Sequence, residues 1–380
     1  VDNHRYFQNL EEEEYSTNVS GSYSFSKDEE EYKGKITLGY SGRSKDVNFN
    51  SNQFSFFPVI NKFNFPVEGI HNVDEYFNSA NFTAAAGDVI SHIPQLYQGT
   101  LKVNALFANF QYKITEKLTA IVGARIEQVD QDVAFITSLK PSGAKSDFSE
   151  KKFLPSLISK YKVTDDQNIK FAFSKTYTLP QFKEKVQLLF EEVTQGYEGN
   201  PNLYESTNYN ADLGWELFPK SGEIVSVTTF GKLIQNPINE MFTNSSSGNI
   251  TYANTGEKAV AIGVEVEYKK TVFELIGKDD LESKLSFGLN ASYINHEQDL
   301  NPDKVYRENG FGANFTFDEV KLTGASDVLA NTDISYFKEL PKDKDITATL
   351  SYAYFSDKLA VVGTQGLGNM IDKSVSRLDV

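Results

Sequence analysis

The chain of 380 residues contains no cysteine, which excludes disulfides and thiolate-ligated metal sites. Tryptophan occurs once and methionine twice. The four histidines (His4, His71, His92 and His296) are scattered without the spacing of a ligand set. Positive charge is also scarce: Lys and Arg number 37 against 52 Asp and Glu, a net charge of −15. Nucleic acid is therefore not an expected partner, because binding it rests on neutralising phosphates with Lys and Arg. Long apolar runs are missing as well. The longest, such as Ala259 to Ile262, fall far short of the ~18–20 consecutive apolar residues of a membrane helix. No signal peptide opens the chain, which is expected to begin after a removed signal or within a longer protein.

What is abundant is aromatic: 29 Phe and 20 Tyr, within a chain only 39% hydrophobic. The dominant local pattern has a period of two. Ile346, Ala348, Leu350, Tyr352 and Tyr354 share one face of a segment whose other face carries Thr347, Thr349 and Ser351. Leu213, Trp215 and Leu217 alternate with Asp212, Gly214 and Glu216; Val264, Val266 and Tyr268 alternate with Glu265 and Glu267. Successive side chains of a strand point to opposite sides, so each segment has one apolar and one polar face. Connections alternate between short and long. Thr115 to Lys117, Thr164 to Gln167, Pro219 to Gly222 and Pro341 to Asp345 read as tight turns, by the chemistry of Pro, Gly and Asp. Ser138 to Glu150, Lys185 to Tyr204, Thr243 to Ile250, Asn301 to Ser326 and Thr364 to Lys373 read as long loops.

An antiparallel up-and-down meander with short turns at one end and long loops at the other predicts an all-β transmembrane barrel. About eleven strands are expected from Leu101 onward and two before them, around Ser16 to Phe25 and Lys33 to Phe49, with a large loop between Phe57 and Tyr97. Glu223 to Phe242 and Ile250 to Thr271 read as strands longer than the ~9–11 residues that cross a bilayer at a tilt. An odd total of about thirteen, with edges a bilayer does not tolerate, predicts further strands outside residues 1–380. A secreted soluble β-protein such as an adhesin, and a passive porin, are the competing readings.

Several segments, in order, resemble the barrel of TonB-dependent outer-membrane receptors in the form common among Bacteroidetes. Gly123-Ala124-Arg125-Ile126-Glu127 is similar to that family's G-x-R-x-E strand. Phe153-Leu154-Pro155-Ser156-Leu157 resembles its LPS strand start. Ala172 to Glu184 resembles a strand ending in R-P-x-x-x-E, with Leu179 where Arg is usual. Gly199-Asn200-Pro201-Asn202-Leu203, Asn236-Pro237-Ile238, and Asn254 followed by Gly263 to Glu267 complete the set, together with Asn331 to Tyr336 and Arg377 to Val380. The resemblance covers roughly residues 95 to 380. It implies a barrel of 22 strands, of which this chain holds about thirteen, and a plug domain outside it. It further implies import of a scarce nutrient (siderophore, glycan or peptide) energised by the TonB–ExbB–ExbD complex, no cofactor, and, as in some relatives, a surface lipoprotein partner.

Arg125, Glu127, Glu216, Glu265 and Glu267 are expected to face the lumen, either holding a plug or simply lining a water-filled space. Tyr197, Asn202 and Tyr204 lie in a long loop at the expected extracellular end, where phenol rings and amides suit ligand recognition. Gly199-Asn200-Pro201 itself is ordinary turn sequence. Asn244 to Asn249 reads as a solvated loop tip, and the Glu11 to Glu14 run as a solvated acidic segment instead of a calcium loop. No G-x-S-x-G elbow and no phosphate-binding loop is present, and the expected function is not enzymatic.

Overall fold

A computed structural model describes residues 4–28, 31–59, 73–83, 85–86, 89–90, 92–191, 195–244, 248–277, 281–364 and 366–380. Thirteen strands form one antiparallel sheet in which every strand pairs with its neighbours in sequence. They are β1 (His4–Asp28), β2 (Glu31–Ser55), β3 (His92–Lys113), β4 (Leu118–Thr137), β5 (Lys140–Lys162), β6 (Gln167–Thr178), β7 (Ser206–Leu217), β8 (Ile224–Gln235), β9 (Lys258–Ile276), β10 (Glu282–Asp299), β11 (Val328–Leu340), β12 (Lys344–Phe355) and β13 (Val375–Asp379). Eleven strands run from β3 onward and two precede them, as the alternation predicts. Among the described residues β1 and β13 are the edges of the sheet. No helix among them is long and apolar enough to cross a membrane.

The register turns the alternation of single strands into rows across the sheet. Ile169, Trp215, Val227, Val266, Ala291, Ala330 and Tyr354 are successive cross-strand partners from β6 to β12. One residue over, Asn168, Glu216, Ser226, Glu267, Asn290 and Asn331 form the matching polar row on the opposite face. The apolar face is bare: Leu106 is 67% exposed and Ile262 61%. A water-soluble sheet would bury such a face against another layer, since contiguous exposed apolar surface marks an interaction site. At its short-turn end this face carries Tyr23, Phe25, Phe110 and Tyr112, with ring centroids 6.0 to 6.5 Å apart.

The turns follow their residue chemistry. The Thr115 hydroxyl accepts the backbone N–H groups of Lys117 and Leu118 at 3.3 and 3.0 Å, closing the β3–β4 turn. Lys342 and Asp343 both take positive φ (66° and 53°) between β11 and β12, the backbone that a tight hairpin requires.

Three sequence expectations need correction. Ser138 to Glu150 is not a loop: β4 and β5 are joined by Ser138-Leu139 alone and continue paired to Thr137↔Lys140. The Leu154-Pro155-Ser156 motif consequently lies within β5 and not at its start. Glu223 to Phe242 is not one strand, and neither is Ile250 to Thr271. The chain leaves the wall at Asn236, which takes φ 54°, and rejoins it at Lys258. The excursion, Ile238–Phe242 and Ile250–Asn254, pairs with Leu189–Glu191 and Gly196–Glu198 in a separate four-stranded sheet. Of the large loop expected between Phe57 and Tyr97, residues 60–72, 84, 87–88 and 91 lie outside the described residues and His92 to Tyr97 already belong to β3; Ser245 to Ser247 of the Asn244 to Asn249 tip also lie outside the described residues.

Candidate functional site

The long connections do not all run out into solvent. The described residues of 179–205, 236–257 and 300–327 fold over the polar face at the long-loop end, forming a cap with its own core. Phe182 and Val186 pack against Val47, Tyr97, Leu101, Val129, Val133 and Phe135 of β2, β3 and β4. Burying a side chain of this size contributes roughly 1.5–3 kcal/mol. Phe182 fits because Gly99 of β3 lies beneath it: a Cβ there would stand 2.6 Å from the ring. Gly199 has a similar role, since a Cβ would lie 2.1 Å from the carbonyl oxygen of Val186.

Three wall side chains hold the first cap segment by its main chain. Gln131 Nε2 donates to the Pro180 carbonyl at 2.9 Å, Thr137 Oγ1 to Gln187 at 2.6 Å, and Ser146 Oγ to Pro201 at 2.6 Å. Each satisfies a backbone acceptor that would otherwise be orphaned on burial. The helical turn Phe182–Lys185 carries a reciprocal cap, with Glu184 Oε2 accepting the Gln181 N–H at 2.8 Å. Burial pushes the Glu184 carboxyl up, offset in part by that N–H and by Lys183. Burial also pushes the Lys185 ammonium down, against the pull of Asp147, Glu205 and Asp132.

The other two segments interlock through residues of the family-like motifs. The Asn254 side chain accepts from Tyr204 N and donates to the carbonyls of Tyr204 and Asn236. Asn200 Nδ2 donates to the Tyr252 carbonyl at 2.9 Å and to Asn309 Oδ1 at 2.6 Å. Lys304, on α1 (Pro302–Asn309), is 1% exposed; its Nζ meets Asn236 Oδ1 at 2.7 Å, the Gly256 carbonyl at 2.8 Å and Glu257 at 3.5 Å. Asn239 bonds Thr255 within the cap and Gln298 of β10 on the wall, and Gln298 donates to Lys321 O at 3.0 Å. The Leu322 N–H donates to His296 Nδ1 at 3.0 Å, so that nitrogen carries no proton and Nε2, 3.1 Å from Asp327, does.

The predicted lumen residues all lie on the polar face. Arg125 and Glu127 of β4 pair with each other, and the Tyr177 hydroxyl donates to Glu127. Glu216 of β7 pairs with Lys170 at 2.6 Å and shares its row with Glu267 of β9 across Ser226. Glu265 lies one row further along, opposite Thr228 and Ser292. The structure thus joins Glu216 and Glu267 but leaves the Arg125 pair three strands away. In the acidic run, Glu12 and Glu14 face Lys45 and Arg43 at 2.6 and 2.8 Å. Of the loop residues, Tyr204 is committed internally: its hydroxyl donates to Glu308 at 3.1 Å and Lys304 lies over its ring. Burial and that carboxylate push its phenol up. Asn202 is exposed, with its N–H given to Asn200 Oδ1. Tyr197 lines a cavity of about 390 Å³ between cap and wall.

A bare apolar face, a polar face and long loops folded over one end are the features of an up-and-down β-barrel wall. The family model for TonB dependent receptor-like β-barrels matches residues 1–375, and the chain belongs to that family. Among solved structures the chain is similar to the ferric yersiniabactin uptake receptor FyuA from Yersinia pestis (TM-score 0.59, 12% identity, covering 98% of this chain and 47% of that one). It is also similar to the copper transporter OprC (TM-score 0.58, 9% identity, 98% and 48%). A third is the siderophore receptor PiuA from Acinetobacter baumannii (TM-score 0.57, 12% identity, 98% and 49%). At these identities the likeness shows the fold alone. The chain spans about half the length of these structures. No match was found among curated proteins.

Proposed function

We propose that this chain forms the wall and ligand-capturing loops of an active importer in the outer membrane, and that it has no enzymatic role. The observation that carries the reading is the family match over residues 1–375. The physical sorting of the sheet supports it. The bare apolar rows suit contact with lipid, the aromatic cluster at the short-turn end suits a membrane interface, and the polar rows suit a lumen. Short turns then lie at the periplasmic end and the cap at the extracellular end. In this reading a plug domain occupies the lumen against Arg125, Glu127, Glu216, Glu265 and Glu267. The TonB–ExbB–ExbD complex pulls on that plug, and the cap carries Tyr197, Asn202 and Tyr204 at the capture end. Similar structures are named for uptake of ferric yersiniabactin and for copper transport, and the cargo here is taken to be a small molecule, a glycan or a peptide. A surface lipoprotein is a compatible partner on the cap side.

The test uses the full-length protein expressed in a Gram-negative host. Extraction only with detergent, a gel mobility that changes on boiling, and capture by the periplasmic domain of TonB are the expected results. Recovery as a soluble protein overturns the membrane assignment. A folded, membrane-embedded protein that does not bind TonB overturns active import and leaves a passive porin.

A further inference from the structure

Two cavities separate the cap from the inner wall of β1, β2 and β3, and they adjoin. Leu10, Tyr97 and Lys183 line both. The first, of about 390 Å³, is built of rings. Phe49 and Tyr97 stack on the wall side with centroids 4.9 Å apart and planes 16° from parallel. Phe190, Tyr197 and Tyr252 come from three different strands of the cap sheet. The second, of about 540 Å³, mixes charged side chains with apolar ones such as Val47, Leu101 and Leu179. Arg43 and Lys45 reach into it but are neutralised by Glu14 and Glu12, at 2.8 and 2.6 Å. Lys183 is different. It is exposed at the junction of the two cavities, where its charge acts on the neighbouring Glu184 without forming a salt bridge to a described residue.

From this juxtaposition we infer that the paired cavities bind a small monoanion carrying a flat ring system, the ring in the aromatic compartment and the anionic group at Lys183. The volumes are those of ordinary ligand sites. Rings on both sides of the first compartment reward a planar apolar group, by offset or edge-to-face packing. Lys183 is the one cation lining these cavities without a salt bridge to a described residue, and it calls for one negative charge. A dianion would meet no second free cation among the described residues lining either cavity. This assignment rests on the import reading, since it makes the cavities the capture site for cargo.

The experiment is a binding titration of the full-length receptor in detergent with 2-naphthoate, alongside neutral 2-naphthylmethanol and non-aromatic cyclohexanecarboxylate. Saturable binding of naphthoate, clearly tighter than of either control, is expected. Lys183→Gln, at an exposed position that leaves folding intact, should weaken naphthoate binding about tenfold or more, the worth of a charge-assisted contact. Naphthylmethanol binding should not change. Tyr197→Leu should weaken both ring compounds and spare cyclohexanecarboxylate. The inference is overturned if the folded receptor, verified by its mobility shift on boiling, shows no saturable naphthoate binding, or if Lys183→Gln leaves that binding unchanged. In either case TonB capture by the same preparation remains an independent readout of the import reading.

Discussion

The ring of Phe182 lies where a side chain on Gly99 would be, so the wall strand β3 is notched to receive the cap. Gly99→Ala places a methyl group 2.6 Å from the ring and forces the helical turn outward. Overpacking of this kind costs about 1–3 kcal/mol. The expected outcome is a cap segment 179–191 that exchanges its amide hydrogens faster while the wall strands keep their protection. Uniform protection in the variant would show that the notch does not matter.

Wall register predicts an asymmetry between adjacent residues of β12. Leu350 lies opposite Ile334 on the apolar face, and Thr349 lies opposite Ser335 on the polar one, their hydroxyls 3.0 Å apart. Arg at a lipid-facing mid-membrane site costs about 2–4 kcal/mol and far less on the lumen side. Leu350→Arg should therefore lower folding stability in lipid vesicles by that amount, with Thr349→Arg close to wild type. Equal effects would reverse or abolish the assignment of faces.

Lys304→Met keeps the length of the side chain and removes its charge. The oxygen of Asn236 and the carbonyl of Gly256 then lose their donor. A buried acceptor left unpaired costs about 1–3 kcal/mol. Proteolysis within 300–327 should become much faster, and limited digestion compared with wild type reads it directly. The wall should remain intact, because Lys304 touches only cap residues among its hydrogen-bond partners.

Acidity should tighten the cap. The Glu184 and Glu198 carboxyls are both held above the usual carboxylate range by burial. A group whose pKa is raised in the folded state stabilises that state below its unfolded pKa, and the contribution disappears as pH rises through the folded value. Protection of residues 179–198 against amide exchange, corrected for intrinsic rates, should thus be greatest at mildly acid pH and fall as pH rises from the ordinary glutamate range. The double variant Glu184→Gln/Glu198→Gln should flatten the profile. An unchanged slope in that variant would assign the dependence elsewhere.

The wall was legible because each strand has two chemically different surroundings. Where both faces meet similar surroundings the pattern fades. Residues 140–150 extend β5 beyond the expected bilayer span; their inward face, with Ser146 and Phe148, meets the cap and their outward face, with Lys145 and Asp147, is exposed, but small and polar residues fall on both, so their composition looks like a loop. The break at Asn236 was hidden for the opposite reason. Alternation continues through Ile238 to Phe242 in the cap sheet, and only the Asn-Pro dipeptide announces the bend. The candidate loop residues have different surroundings. Tyr197 does line a cavity, but Tyr204 is held by Glu308, and Lys183 and Lys304 carry no local signal at all. The role of Lys304 arises from contacts between segments about 50 residues apart or more, with Gly256 and Asn236, which no periodicity encodes.

Gln131, Thr137 and Ser146 grip the first cap segment solely by carbonyl oxygens, which every residue type possesses. Attachment of that segment is thereby indifferent to most of the side chains it displays. Its outward and cavity-facing positions are free to diversify under selection for new cargo without loosening the anchor, so specificity and mooring can evolve separately within one loop.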